Sequence, residues 1–413
     1  MTFLCRLGVV GLLAVVAGGC GDDDAVGTGG GGSTGPGAGG STAASTGTGQ
    51  TGVLCDPAGV AACDVNQQAC NVDAAGAPTC FDCGRGELVD AAGSCATIPG
   101  QALVHAFAEF ETQPGEEVKG LCQSWTIGNE TDLFVNAVEL WQDEASHHSN
   151  WTFVPDDQFD GPDGVWPCED RAYDQLSAAV SGGVLYAQST QAEREVQKFP
   201  DGAVVRIPAH ARIIGDVHLL NVGTEPVRGH VELSLFALDE SEVRVKLAPF
   251  HMTYDGLDIP PRSKSRFEGS CSTEDLLGTD GAPLSMKVYY VLPHTHAQGR
   301  RFFFGPTGGD SAPGLLFDVT GFNGEARGQA YDPPIQLGGA DALRFGCEFD
   351  NPRDEAIQWG FGDQEMCEML GFMEADFAFE SRISTAEAAG EADGMPVFSG
   401  PCQTLRLPWD SKL

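Results

Sequence analysis

His147-His148 with His218 form one set of candidate metal ligands, and His294-Thr295-His296 with the later Met366 form another. Neutral imidazole suits copper in either redox state, whereas thioether sulfur is soft and favours Cu(I). One all-histidine set and one His-His-Met set imply two separate copper sites able to cycle electrons, which points to a redox enzyme. His294 and His296 are two apart, so on a strand they project from one face and both rings can meet one ion. The preceding Tyr289-Tyr290-Val291-Leu292 reads as that strand. His147 and His148 are neighbours and would point to opposite faces of a regular strand. Sharing an ion requires a bulge or a turn, which the polar run 142–150 permits. Taken singly each signal is ambiguous: a lone methionine is usually core filler, and a histidine pair in a polar run is usually a solvated loop. His105, His210, His230 and His251 are assigned to surface or hydrogen-bonded structural roles.

The elements that must position these residues read as β-strands. Val231, Leu233, Leu235 and Ala237 alternate with Glu232, Ser234 and Phe236, the period-two pattern of a strand. The segments 203–207, 213–217, 286–292 and 342–349 look similar, and Gly and Pro punctuate the chain densely, as at Gly182-Gly183, Pro260-Pro261 and Pro333-Pro334. Only 170–180 and 386–392 carry weak helical periodicity. The expected fold is all-β, two tandem jelly-roll-type β-sandwich domains. With a boundary near 242–248, they would occupy 102–244 and 245–405, one histidine set in each.

The remaining sequence bounds the class. Arg6 precedes an apolar run, 7–17, too short to span a bilayer and ending in Ala17-Gly18-Gly19-Cys20. Small residues before a cysteine resemble a bacterial lipobox, so 1–20 is expected to be a lipoprotein signal with Cys20 lipidated; the alternative is an ordinary signal peptide with a chance cysteine. Residues 21–52 are Gly-, Ser- and Thr-rich with few apolar side chains, which predicts a flexible tether. The expected place is the bacterial cell envelope, on the periplasmic face or the outer surface. Of the 14 cysteines, Cys5 falls in the signal and Cys20 at its end, leaving an even number that reads as disulfides in an exported chain. Six of them crowd into 53–98, a module too small to hold itself without staples. Its Cys80-Phe81-Asp82-Cys83 pair lacks a second CxxC or a histidine pair nearby, so a stapled spacer is favoured over zinc or redox chemistry. A formal charge of −36 excludes nucleic acid as a partner, since phosphate binding needs a basic surface.

Taken in order, His147-His148, Asp216-Val217-His218, Pro293-His294-Thr295-His296, Gln329-Ala330-Tyr331, Arg344-Phe345-Gly346-Cys347 and Asp363-Gln364-Glu365-Met366-Cys367 resemble the copper type II, ascorbate-dependent monooxygenases, the family of peptidylglycine α-hydroxylating monooxygenase and dopamine β-monooxygenase. The resemblance spans about 104–405. It implies two jelly-roll sandwiches facing each other across a solvent-filled cleft, with one copper on each. His147, His148 and His218 would hold the copper that relays electrons. His294, His296 and Met366 would hold the catalytic copper, where dioxygen and the substrate C–H bond meet. It also implies the disulfides Cys347–Cys367, Cys271–Cys402 and Cys122–Cys168, a connectivity that sequence alone does not fix.

The departures are informative. Peptidylglycine enzymes grip a substrate carboxylate with an arginine before the His-x-His pair and a tyrosine after the methionine; here Leu292 and Leu370 occupy those positions. Glu368 would repel a carboxylate, or else lie solvated away from the cleft. The resemblance therefore implies a dicopper monooxygenase that hydroxylates a C–H bond of a small organic substrate with dioxygen and an external one-electron reductant, ascorbate or another donor. Peptide amidation is not expected. The membrane is a partner through the lipid anchor only. The rival readings are a non-catalytic copper-binding or copper-handling envelope lipoprotein, and a structural or adhesive surface protein with coincidental histidines.

Overall fold

The computed structural model describes residues 53–64, 67–143, 146–188, 192–274, 284–309, 314–321, 327–360 and 363–409; Cys20 and the 21–52 segment lie outside them. The chain is all-β, two tandem sandwiches of jelly-roll type behind a small disulfide module. In the first sandwich one sheet runs Gly164–Pro167, Glu117–Thr126, Ala211–Leu220, Ser146–Pro155 and Gly183–Ala187. The other runs Val245–Lys246, Ala203–Ile207, Leu133–Gln142, Val231–Leu238 and Gln101–Ala106. The second sandwich opposes the sheet of Gln329–Gly338, Ser285–His294, Glu368–Glu374, Ala248–Tyr254, Phe377–Ile383 and Cys402–Pro408 to a sheet built around Gly299–Thr307, Ala342–Asn351 and Ser263–Ser272. Many successive strands alternate between the two sheets of each sandwich, as in a jelly roll, while Ser146–Pro155 and Gly183–Ala187, and Glu368–Glu374 and Phe377–Ile383, stay in one sheet. Sheet membership changes between Lys246, which still pairs in the first sandwich, and Ala248, which opens the second.

Period-two alternation explains the inner faces. Val231, Leu233 and Leu235 are fully buried in the first core with Trp151 and Phe153, while Phe250, Phe267, Phe302 and Phe345 fill the second. The outer face of Val231–Leu238 is covered too. Phe236 packs on Ile98 at the end of the disulfide module. Arg85 of the module stacks over Trp141 at 4.6 Å and pairs with Glu232, and the Gly86 amide donates to Glu139. The module is stapled by Cys55–Cys70, Cys63–Cys80 and Cys83–Cys95 and docks on the sandwich rather than merely spacing it.

One local expectation fails for a physical reason, and another holds in part. Segment 386–392 is not helical: Glu387–Ala392 is a strand paired with Met395–Ser399. Between them Asp393 and Gly394 take φ of 54° and 75°, the left-handed pair that closes a two-residue hairpin and overrides the weak helical period. Segment 170–180 is helical in two pieces, the end of a 3₁₀ turn over Cys168–Arg171 and an α-helix over Gln175–Ser181, where Asp174 caps the end by accepting from the Ser177 amide. A helix that hydrophobic periodicity did not reveal, Pro57–Asp64, lies in the module. No helix among the described residues is long and apolar enough to cross a membrane.

The two sandwiches pack directly on one another. In the second, Tyr290, Leu292, Leu370 and Phe372 point away from their own core and into the first. Phe199 meets Tyr290 and Phe372 with ring centroids 5.6 and 4.9 Å apart, edge to face. Phe199→Ala is expected to cost about 3–5 kcal/mol, read as a lowered urea midpoint. An unchanged midpoint would show that this contact does not hold the sandwiches together.

Candidate metal centre

Strand Ser146–Pro155 pairs antiparallel with Ala211–Leu220, but the register slips between Ser146 and His148, leaving His147 as the extra residue of a bulge. A bulge re-aims a side chain that strand geometry would send to the opposite face. Both neighbours therefore reach His218, which lies cross-strand from His148. The three ring centroids are 4.8–5.0 Å apart. His218 Nδ1 lies 3.3 Å from His148 Nε2, and its Nε2 lies 2.8 Å from a carboxylate oxygen of Glu117.

The second set stands on the neighbouring sandwich. His294 ends strand Ser285–His294 on the face that Tyr290 and Leu292 turn toward the first sandwich. His296 follows in a turn held by Glu365, whose carboxylate accepts from the His296 amide at 2.9 Å and the Gln298 amide at 2.6 Å. His296 Nδ1 donates to the Gln364 carbonyl at 2.8 Å, which leaves Nε2 as the bare nitrogen. That nitrogen is buried and has no hydrogen-bond partner among the described residues. A ring held through one nitrogen with the other bare is the arrangement of a metal ligand. Met366 is buried and lines the same cavity as His148 and His294. Next to it, Cys367 is bonded to Cys347 on the facing sheet. Cys122–Cys168 and Cys271–Cys402 are also present.

The sets do not face each other across an open cleft. His148 and His294 lie 5.5 Å apart by ring centroid, and His147 and His296 lie 6.3 Å apart. Ring nitrogens of His147, His148 and His218 fall within 4.8 Å of one another, and so do those of His148, His294 and His296. His148 thus belongs to both groups. The reason is the apolar contact around Phe199, which closes the space between the sandwiches and brings both sets to its edge.

Burial keeps these imidazoles neutral and able to ligate. It pushes His147 down to about 4, helped by the neighbouring His218 and His296. It holds His148 well below the ordinary value. It also lowers His218 despite Glu117, and His296 despite its bond to Gln364.

Beside the second set opens a cavity of about 380 Å³. Its walls include Leu176, Leu292, Leu370 and Trp359. Leu292 and Leu370 are cross-strand partners, and Glu368 lies opposite His294. Glu368 lines this cavity rather than pointing away from it. Trp359 Nε1 donates to it at 3.1 Å and His251 Nε2 lies 3.8 Å away. Burial alone would raise its pKa, but the pairing with His251 carries it down to about 2. His251 is raised in turn, because Glu368 outweighs the burial penalty. Its pairing with Glu368 agrees with a structural role, and it also lines the cavity; its alternation with the core residues Phe250 and Met252 was the available signal for that position. His105 stacks on Trp125, His230 bonds Asp143, and His210 sits at a left-handed turn position, all away from the cluster. Glu117 escaped sequence reasoning, and Glu365 was named only within its motif without its supporting role, because a carboxylate in an acidic chain is not distinctive.

No protein-family model and no curated protein matches this chain. Among solved structures it is similar to the major capsid protein P2 of bacteriophage PM2, at 8% identity and a TM-score of 0.27, over 66% of this chain and 97% of that one. It is also similar to the human norovirus GI.7 Houston particle protein, at 11% identity and a TM-score of 0.18, over 63% of this chain and 68% of that one.

His147 has an ordinary value of 6.5, which it keeps in the unfolded chain, and a value of about 4 in the fold. Between these the unfolded state takes up a proton that the fold refuses. The stability contributed by keeping it neutral is therefore present above pH 6.5 and is lost as pH falls through about 4. With chelator present, His147→Gln should flatten the fall of the urea midpoint across that window. An equally steep fall in the variant would show that His147 does not carry it.

Proposed function

We propose that this chain is a copper monooxygenase, of the kind the ascorbate-dependent family represents, hydroxylating a C–H bond of a small organic substrate. The observation that carries this reading is the convergence of five histidines, three of them buried and two half-buried, and Met366 beside a cavity, with His296 Nε2 bare and its Nδ1 tied to Gln364. His147, His148 and His218 would hold one ion. His294, His296 and Met366 would hold a second on the cavity wall. Copper bound there would supply one-electron chemistry on dioxygen, with ascorbate or another donor providing electrons.

The protein's own contribution is binding and exclusion. Leu176, Leu292, Leu370 and Trp359 would hold an apolar substrate body and keep water from the reacting bond. On the cavity wall Glu368 pairs with His251 and Arg382 with Glu380, leaving no unmatched cation among the described residues to grip a carboxylate, and the net charge of −36 disfavours one, so peptide amidation is not the proposed reaction. A lipid on Cys20 would tie the enzyme to the bacterial envelope.

A copper-binding lipoprotein without catalysis is the second reading, and the shared membership of His148 in both groups favours it. The test is copper stoichiometry of the soluble form beginning near residue 53. Two coppers per chain are expected, with Met366→Ala losing or weakening one. Reductant-dependent oxygen consumption by the loaded protein separates enzyme from binder. One copper or none, under reducing and oxidising conditions alike, would sink the enzymatic reading.

A further inference from the structure

The second nitrogen of His218 meets a carboxylate, whereas the second nitrogen of His296 meets a backbone carbonyl. The carboxylate reaches its place through a bulge. Val217 pairs with Leu121, but Leu219 pairs with Val118 and Leu220 with Glu117, so strand Glu117–Thr126 carries one extra residue opposite His218. Gly120 within it has φ of 66°, the left-handed conformation that such a bulge requires and glycine adopts without strain. In an unbroken register Glu117 would face Asn221, on the other side of the sheet. The one-residue slip sets it opposite Leu220, on the face that His218 shares. Its other oxygen lies 3.1 Å from Lys119 Nζ, and Glu117 itself belongs to neither group of converging ligand atoms.

We propose that Glu117 is a positioning residue: it accepts the Nε2 proton of His218, fixes that tautomer, and leaves Nδ1 as the ligand nitrogen facing His148. The inference rests on the copper reading above for its consequence. A carboxylate polarises the ring more than a carbonyl does and makes the imidazole a stronger donor. The first set is thereby biased toward the more highly charged Cu(II), while Met366 biases the second toward Cu(I). The two sets differ electronically through partners behind the ligands as well as through the ligands themselves.

Glu117→Gln keeps the shape and removes the charge. In the copper-loaded protein it should weaken Cu(II) at one of two sites by roughly 10–100-fold and change that site's EPR signal, leaving Cu(I) at the Met366 site unmoved. Glu117→Asp, with a carboxylate too short to reach the ring, should weaken the same site. In the metal-free protein, imidazole ¹⁵N shifts should show His218 protonated at Nε2, and a mixture of tautomers in Glu117→Gln. Unchanged Cu(II) affinity and EPR in the glutamine variant, or a wild-type His218 protonated at Nδ1, overturns the proposal. A wild type that binds no copper overturns the copper reading instead, and the nitrogen shifts still decide the tautomer.

Discussion

The contact between the two sandwiches is the constraint on which the rest depends. Tyr290, Leu292, Leu370 and Phe372 leave their own core and pack with Phe199 and the first sandwich. Each such side chain contributes roughly 1.5–3 kcal/mol when fully buried. A neutral polar group without its hydrogen bond costs about 1–3 kcal/mol. The contact is therefore large enough to hold several neutral imidazoles out of water at its edge. Opening the sandwiches would give up that burial. The closeness of the two histidine sets follows from the apolar packing and not from attraction among the rings, whose charged forms would repel.

Both sets depend on departures from regular strand geometry. His147 is the extra residue of one bulge, and a second bulge at Gly120 turns Glu117 toward His218. His296 lies in a turn that a single buried carboxylate, Glu365, binds through two backbone amides. Burial raises Glu365 to about 7, against the hydrogen bonds from Gln298, His296 and Met366 that favour its charge. One side chain thus links the histidine turn to the methionine segment. The disulfide at Cys367 ties that segment to the opposite sheet. The candidate ligands are ordinary residues, and their supports are specific.

The cavity follows the same logic. Its wall carries Glu368 paired with His251 and Arg382 paired with Glu380, set among leucines and Trp359. These charges are matched internally, so an incoming molecule gains little by bringing a charge of its own. An anion also meets the field of a strongly acidic chain. Shape and apolar contact are left to select the occupant.

Much of this was legible in the sequence, for reasons that differ by residue. Val231, Leu233 and Leu235 turn into the core as the sequence pattern requires, because a period of two follows from backbone geometry alone. That His147 and His148 need a bulge or a turn to share a partner was also readable, since adjacent side chains on a strand diverge; the register slip decides for the bulge. The helix assignment at 386–392 failed because the Asp393-Gly394 turn outweighs a weak periodicity, and Phe236 is buried because the disulfide module covers a face that alternation treats as outer. By itself the sequence determined the prevalence of strands and the sandwich class, both properties of local spacing, and marked the two candidate histidine sets, although it set His296 on a strand that ends at His294. Only the tertiary structure decided that the two sets meet at His148, that Glu117 stands behind His218 and that His251 faces the cavity. Those depend on register slips and sandwich-to-sandwich packing, which join residues far apart in the chain and leave no period in it.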